Sequence, residues 1–179
     1  MIKKILLGLV IIVVILVVVI LLQPAHYHVE RSATISAPPA TVFAQVNDFH
    51  KWEAWSPWAK IDPSMKQNYD GAPAGVGAGY SWAGNSQAGE GRMTITDSHP
   101  SDLIKIKLEF LKPFAATDTT AFTFKPQGNQ TVATWTLDGN NNFIGKAFGL
   151  VMNMDKMVGA DFEKGLAQMK SIAEAAPKQ

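Results

Sequence analysis

The N-terminal part of the sequence contains an uninterrupted run of 18 apolar residues, from Ile5 to Leu22. The run consists of Ile, Leu and Val with one glycine, Gly8, and it directly follows Lys3 and Lys4. As an α-helix it would be ~27 Å long at ~1.5 Å per residue, close to the ~30 Å hydrocarbon core of a bilayer. The sequence therefore predicts one transmembrane helix that holds the rest of the chain at a membrane.

Such a run could instead belong to a cleaved signal peptide, whose apolar region spans ~7–15 residues before a site of small residues. Here the run is longer and leads into Gln23–His28 without an Ala-x-Ala site, which favours an anchor at residues 1–23. Because Lys3 and Lys4 are the charges on the short N-terminal side, we expect that side to be cytoplasmic. Residues 24–179 would then form one periplasmic or extracellular domain of ordinary size.

The charge balance of this domain excludes one class of partner. The chain has 16 basic and 15 acidic residues, and without Lys3 and Lys4 it has 14 basic against 15 acidic. No basic run or stripe occurs in the sequence, whereas nucleic-acid binding requires many Lys and Arg side chains on one face. We therefore expect no nucleic-acid partner. The absence of cysteine excludes a disulfide framework.

The residues after the apolar run predict an α+β domain. A first strand is expected over Tyr27–Ser36, and a short helix follows from Pro38 to about Asp48. A loop rich in Trp and Pro then covers residues 50–63. Six further segments alternate between apolar and polar residues and are separated by Gly, Pro, Asn or Asp, as in an antiparallel meander. They are Met65–Tyr69, Gly79–Ala83, Glu90–Asp97, Leu103–Leu111, Thr119–Pro126 and Thr131–Leu137.

The strand pattern predicts a sheet with one solvent-exposed face and one face covered by another element. In Leu103–Leu111, apolar residues occupy every second position and charged residues lie between them. The cover is an amphipathic helix of about five turns that begins near Asp155 and ends before Pro177. Its apolar residues recur three or four positions apart and are Val158, Phe162, Leu166, Met169 and Ile172. We expect this helix to pack across the apolar face of the sheet.

Five short motifs are distributed over about residues 27–175. They are Trp52–Trp58, Asp62–Met65, Gly75–Trp82, Gly89–Ile95 and Asp155–Leu166. Together they resemble the SRPBCC superfamily and, within it, membrane-anchored members described as polyketide cyclase/dehydrase-like. The resemblance implies the START-like helix-grip fold, in which a curved antiparallel sheet wraps a long C-terminal helix around a deep hydrophobic cavity. It implies no single activity, because the superfamily includes lipid carriers, hormone receptors, cyclases and co-chaperone-like domains.

The resemblance and the strand faces together imply a binding module for a lipid or another hydrophobic small molecule, without a cofactor. Trp52, Trp55 and Trp58 recur every three residues, and they either seal the core or form a rim that contacts an apolar ligand. Candidate ligand-binding residues come from the apolar strand faces, the Trp-rich loop and the long helix. They are Trp55, Trp58, Trp82, Met93, Phe110, Phe122, Phe124, Trp135, Met157 and Phe162.

An acid–base enzyme of the cyclase or dehydratase type is the alternative, and it requires an ionisable side chain inside the cavity. The candidates are Glu53, Glu90 and Arg92. If Met93 faces the cavity, Arg92 faces outward, and a bulge at Gly89 or Gly91 would be needed to turn Glu90 or Arg92 inward. A third possibility is a structural domain whose own side chains fill the cavity. Strand orientation and cavity volume distinguish these alternatives.

Two remaining segments carry weaker signals. His26 and His28 are two residues apart, but Glu30 is the only further ligand nearby, so we predict a juxtamembrane linker and no metal site. Residues 140–145 precede the long helix, and with Gly149 they predict a loop able to move as a lid.

Overall fold

The computed structural model describes residues 2–176. The strands are β1 (His26–Ile35), β2 (Lys66–Gly71), β3 (Ala78–Ala83), β4 (Glu90–His99), β5 (Leu103–Lys112), β6 (Ala116–Gln127) and β7 (Gln130–Asn140). The helices are α1 (Ile2–Leu22), α2 (Pro39–Val46), α3 (Trp52–Trp55), α4 (Phe143–Gly149) and α5 (Met154–Ala175), with a 3-10 turn at Phe49–Lys51.

The strands form one antiparallel sheet in the order β1-β7-β6-β5-β4-β3-β2. Strands β2 to β7 follow one another as a meander, and β1 closes the order by pairing with β7, Val29 opposite Leu137. One end of the sheet lies next to the end of α1, and we call it the α1 end. There β1 begins and β7 ends, β5 ends and β6 begins, and β3 ends and β4 begins.

Helix α5 packs against the concave face of the sheet, where its buried residues are Gly159, Phe162, Gly165, Leu166, Met169 and Ala173. Their three- and four-residue spacing is the apolar stripe that the sequence predicts. Asn153 caps the helix by accepting the backbone N–H of Lys156 at 2.9 Å. Gly165 allows the helix to approach the Trp135 ring closely, because a Cβ there would lie 2.8 Å from Trp135 Cζ3.

This architecture is the α+β helix-grip fold, and it confirms the predicted order of first strand, short helices, six strands and long helix. Two local predictions need correction. Trp52–Trp55 is a helical turn inside the predicted loop, and Phe143–Gly149 is helical rather than an irregular lid. The α4 helix forms despite its glycines because the Asn142 side chain accepts the backbone N–H of Gly145 at 2.9 Å.

Helix α1 is long and apolar enough to cross a membrane, and its side chains are exposed along nearly its whole length. Its C-terminal turn differs, because Ile20 is buried and the Leu21 carbonyl accepts a hydrogen bond from Lys146 Nζ on α4 at 3.2 Å. Only residues 23–25 separate α1 from β1. The helix is therefore attached to the domain at one end and free of it elsewhere.

Candidate ligand-binding cavity

A cavity of about 280 Å³ lies between the concave face of the sheet, α5 and the segment from Phe49 to Met65. Its wall is predominantly apolar. Wall residues from the sheet include Tyr80, Trp82, Met93, Leu108, Phe110, Thr120, Trp135 and Leu137, and those from the helices and loops include Phe49, Trp52, Trp58, Ile61, Met65, Val158 and Phe162. The cavity occupies the half of the concave groove nearest the α1 end. Side chains of α2 and the sheet fill the other half.

Stacked aromatic rings form the deep wall of the cavity. The rings of Trp135 and Phe162 are parallel within 6°, with centroids 4.0 Å apart. The indole N–H of Trp135 donates to Thr120 Oγ1 at 2.8 Å, and that hydroxyl donates to the Thr136 carbonyl at 2.7 Å. The polar atoms of this wall are therefore already paired with one another. A molecule bound there gains from apolar contact rather than from hydrogen bonds.

Trp82 forms a side wall nearer the α1 end. Its indole N–H donates to the Ala88 carbonyl at 3.0 Å, and its ring contacts Phe110 edge-on with centroids 6.2 Å apart. The ring lies directly over Gly91, where any Cβ would overlap it. Gly91 is therefore the residue that allows Trp82 to lie flat against the sheet and leave the cavity open.

The cavity opens at the α1 end, between the segment before β2 and the β3–β4 loop. Ile61, Gln67 and Gln87 border the cavity and have exposed side chains there. Asp62, which is 6% exposed, joins the two segments: it accepts the backbone N–H of Asn85 at 2.7 Å and the hydroxyl of Ser64 at 2.7 Å. The hydroxyl hydrogen bond lowers the pKa of Asp62, so the carboxylate that holds the opening stays ionised at neutral pH.

The ionisable side chains of the wall are Glu53, Tyr69 and Tyr80 among residues 2–176. Burial raises the pKa of Tyr80 to about 12, with smaller contributions from Tyr69 and Glu53, so its phenol stays protonated at neutral pH. Glu53 is exposed on α3, where water reaches it. The deep wall formed by Trp135 and Phe162 carries no ionisable group within the described residues.

Six of the ten predicted ligand-binding residues lie on this wall. They are Trp58, Trp82, Met93, Phe110, Trp135 and Phe162. The four that lie on strands have the orientation that alternation predicts, and in β4 the residues Gly91, Met93 and Ile95 are all buried on the concave face. Trp52, which the prediction left out of its ligand-binding set, also borders the cavity. Trp52 is 7% exposed, so it belongs to the packed core and to the cavity wall at the same time.

The other four predicted residues lie away from the cavity. Trp55, Phe122 and Phe124 are at most 1% exposed and belong to the packed core. Phe122 and Phe124 face the concave side as predicted, but Phe124 contacts Phe43 of α2 in the closed half of the groove. Met157 is 46% exposed, because it precedes the inward-facing Val158 and lies ~100° around the helix from it.

Two of the three predicted acid–base candidates point away from the cavity. Glu90 accepts a hydrogen bond from Lys112 Nζ at 2.7 Å, and the Arg92 guanidinium binds both carboxylate oxygens of Asp70 at 2.6 and 2.7 Å. The register of β4 does shift between Glu90 and Gly91, but Glu90 still does not reach the wall. Glu53 is the one predicted acid–base candidate that borders the cavity.

Sequence reasoning overlooked Asp118, which is 4% exposed on the concave face of β6. Tyr27 donates to its Oδ2 atom at 2.8 Å, while Oδ1 has no partner within residues 2–176. Burial raises the pKa of Asp118. The signal was present, since alternation from Phe122 places Thr120 and Asp118 on the same inward face. The hydrogen-bonded pair of Tyr27 and Asp118 does not border the cavity.

The two N-terminal histidines converge on one carboxylate outside the cavity. His28 Nδ1 lies 2.7 Å and His26 Nε2 3.7 Å from Asp138 Oδ1. Within residues 2–176, no group of three His, Cys, Asp or Glu side chains is arranged to hold a metal ion.

Comparison with solved structures supports the fold independently. A Chromobacterium violaceum protein is 14% identical, with a TM-score of 0.61 over 83% of this chain and 98% of that chain. Ara h 8.0201 is 9% identical, with a TM-score of 0.55 over 84% and 99%. The di-domain ARO/CYC StfQ from the steffimycin biosynthetic pathway is 13% identical, with a TM-score of 0.63 over 84% of this chain and 51% of that one.

At these identities the solved structures show a shared fold and no shared activity. A search of curated proteins gave no match. Residues 26–174, which include every strand of the sheet and nearly all of α5, match the family described as polyketide cyclase / dehydrase and lipid transport. The chain therefore belongs to the polyketide cyclase / dehydrase and lipid transport family.

Proposed function

We propose that the protein is a membrane-tethered binding domain that holds a lipid acyl chain or another small apolar molecule in the cavity. The observation that carries this proposal is the chemistry of the wall, whose deep part is aromatic with its polar atoms already paired. The family description, which includes lipid transport, supports the same class of ligand. A cavity of about 280 Å³ is just below the ~300–1,000 Å³ of typical ligand pockets, so one chain or a small molecule fits better than a whole two-chain lipid.

The distribution of polar groups indicates how such a ligand would lie. Gln67, Gln87 and Glu53 border the cavity and are exposed, whereas Trp135 and Phe162 are buried at its deep end. An amphiphile would therefore place its apolar part against the stacked rings and its polar part toward water at the opening. Burial of apolar surface, at ~25 cal/mol per Å², would supply the binding free energy.

Retention of α1 as an anchor at residues 1–23, joined to a binding domain at 24–179, is the second part of the proposal. The end of α1 makes specific contacts with the domain through Ile20 and Leu21, and Asn141 donates its N–H to the Ala25 carbonyl at 2.7 Å. These contacts support a helix that stays attached. With Lys3 and Lys4 on the cytoplasmic side, the binding domain would be periplasmic or extracellular.

Acid–base catalysis is a second candidate function, and Glu53 is the observation that favours it. This carboxylate borders the cavity and is close enough to raise the pKa values of Tyr69 and Tyr80. A reaction there would take place at the water-exposed part of the wall, with the substrate body held by the aromatic rings. The open volume of the cavity argues against a domain whose own side chains fill its groove.

A paired substitution on α5 tests the binding function. Val158→Trp places a large ring in the cavity, whereas Met157→Trp adds the same ring at the neighbouring exposed position. The full chain and both variants would be purified in amphipol, and small molecules extracted from each would be identified by mass spectrometry. We expect the wild type and Met157→Trp to share an apolar compound that Val158→Trp lacks. Identical extracts from all three proteins would contradict a ligand in this cavity.

A further inference from the structure

A second apolar surface lies outside the cavity at the α1 end. We call it the α4 patch, and it consists of Leu111, Phe114, Phe143, Ile144, Phe148 and Val151. Val151 is 82% exposed, Phe114 52% and Phe148 47%, so large side chains point outward and are not covered by residues 2–176. Phe114 of the β5–β6 loop and Phe148 of α4 are in contact, with ring centroids 6.1 Å apart, which makes the two segments one continuous surface.

The charges around the α4 patch suit a lipid surface. Residues 139–154 contain no acidic residue, and their one charge is Lys146. Residues 111–116 likewise contain no acidic residue, and their one charge is Lys112, which is paired with Glu90 of β4 at 2.7 Å. Exposed apolar surfaces of this kind mark a binding partner, and aromatic and aliphatic side chains flanked by Lys are typical of segments that lie in a membrane interface.

The position of α4 relative to α1 identifies which partner is within reach. Lys146 Nζ of α4 contacts the carbonyl of Leu21, in the last turn of α1. If α1 spans the membrane, its last turn lies at the boundary between the hydrocarbon core and the headgroups. A helix in contact with that turn is at the same depth. Given the proposed tether, on which this step rests, the bilayer that α1 crosses is the nearest apolar phase for the α4 patch.

The cavity opening lies at the same end of the molecule. Phe110 on the cavity wall directly precedes Leu111 of the α4 patch. The β3–β4 loop that borders the opening lies against the end of β5, next to the β5–β6 loop, since a Cβ on Gly89 would lie 2.5 Å from the Lys112 carbonyl oxygen. The opening and the patch therefore belong to one surface at the α1 end.

We infer that the α4 patch docks into the lipid interface beside α1, so that the cavity opens toward the bilayer. An apolar ligand then passes between membrane and cavity along a path lined by Leu111 and Phe110, without crossing bulk water. Docking would also give the domain a second attachment to the membrane, beside the contact between α1 and α4.

The lack of cysteine in the chain allows this inference to be tested with single labels. The full chain would be reconstituted in vesicles of equal parts phosphatidylcholine and phosphatidylglycerol, with an environment-sensitive fluorophore attached to one introduced cysteine. Phe114→Cys and Val151→Cys report on the patch. Asn129→Cys, in the exposed β6–β7 hairpin at the opposite end of the sheet, is the matched control. Ile12→Cys, in the middle of α1, reports separately on the anchor.

Brominated phosphatidylcholine then serves as the contact quencher. We expect blue-shifted emission and loss of intensity for Phe114→Cys, Val151→Cys and Ile12→Cys, and neither change for Asn129→Cys. If the Ile12 label is quenched while both patch labels behave like Asn129→Cys, the docking inference is wrong, but α1 is still supported as a membrane anchor. If the Ile12 label is not quenched, α1 does not lie in the bilayer, and both the proposed tether and the docking inference are wrong. The patch labels could instead show blue-shifted emission without being quenched by the brominated lipid. That result would mean that another protein molecule, such as a second copy of this chain, covers the patch, and it would also overturn the inference.

Discussion

At the scale of single residues, Asp118 has the most unfavourable environment for its charge. The carboxyl group is 4% exposed, and the Tyr27 hydroxyl is its hydrogen-bond donor within the described chain. Burial raises the pKa of Asp118 above that of an ordinary aspartate, and the Tyr27 hydrogen bond offsets only part of this increase. At a pH between the ordinary and the raised pKa of Asp118, the folded protein retains a proton there that the unfolded chain has released.

This environment predicts a specific pH dependence. Between the ordinary and the raised pKa of Asp118, the folded state binds more protons than the unfolded state, so the free energy of unfolding falls as the pH rises. Asp118→Asn cannot ionise. We expect its melting temperature, relative to wild type, to increase as the pH rises above the ordinary aspartate pKa of about 4, measured by tryptophan fluorescence in detergent micelles.

Tyr27→Phe provides the matched comparison. It removes the hydrogen bond that lowers the pKa of Asp118, so the fall in stability with rising pH should extend to higher pH than in the wild type. Parallel melting curves for wild type, Asp118→Asn and Tyr27→Phe across this range would show that the buried carboxyl group does not couple folding to protonation.

At the scale of secondary-structure elements, the contact between β1 and the start of α5 sets the position of the cavity-lining helix. Arg31 of β1 binds the Asp155 carboxylate through Nη1 and Nη2 at 2.9 and 3.1 Å, and its Nε donates to Glu163 at 2.8 Å. The guanidinium lies across Gly159, where a Cβ would overlap it. One planar side chain thus joins the first three turns of α5 to the sheet, next to Val158 and Phe162 on the cavity wall.

Arg31→Lys should loosen this part of α5, because an ammonium group cannot reproduce the planar two-sided contact with Asp155 and Glu163. We expect faster hydrogen–deuterium exchange in residues 154–163, with little change in β5 and β6. Lys164→Ala removes an exposed pair with Asp161 on the same helix and should leave the exchange unchanged. Equal protection of residues 154–163 in Arg31→Lys and wild type would show that packing alone positions the helix.

The elements themselves were largely predictable from the sequence, and for α4, one of the two exceptions, the reason is physical. Strong alternation in β5 and the three- and four-residue spacing in α5 correspond to the one-sided burial that the structure shows. Helix α4 gave no such signal, since no residue in it is buried and glycine lowers its helix propensity. Its contact with α1 depends on tertiary structure, which a local pattern does not report, whereas the Asn142 cap is a local signal that does not predict a helix by itself.

At the scale of the whole molecule, the sequence predicted which strand side chains face the concave side of the sheet. It did not predict which of them border the cavity and which are packed in the core. Met93, Phe110 and Trp135 line the cavity because inward-facing residues near the α1 end surround open space. Phe124 faces the same way and is packed, because α2 fills that half of the groove. Strand period determines the face of a residue, whereas the placement of α2 and α3 determines which part of that face stays open.

The open half of the groove should make the stability of the whole fold depend on its ligand. A ligand that binds only the folded protein raises the free energy of unfolding, by ~2.7 kcal/mol when its free concentration is a hundred times its Kd. Removing bound apolar molecules from the full chain by exhaustive detergent exchange should therefore lower the melting temperature of the wild type and of Met157→Trp. Val158→Trp fills the cavity with its own side chain and should melt at the same temperature before and after exchange. The two variants differ only in whether the added ring enters the cavity. An equal decrease in the melting temperature of all three proteins would therefore mean that the destabilisation comes from lipid removed from α1 or the α4 patch and not from the cavity.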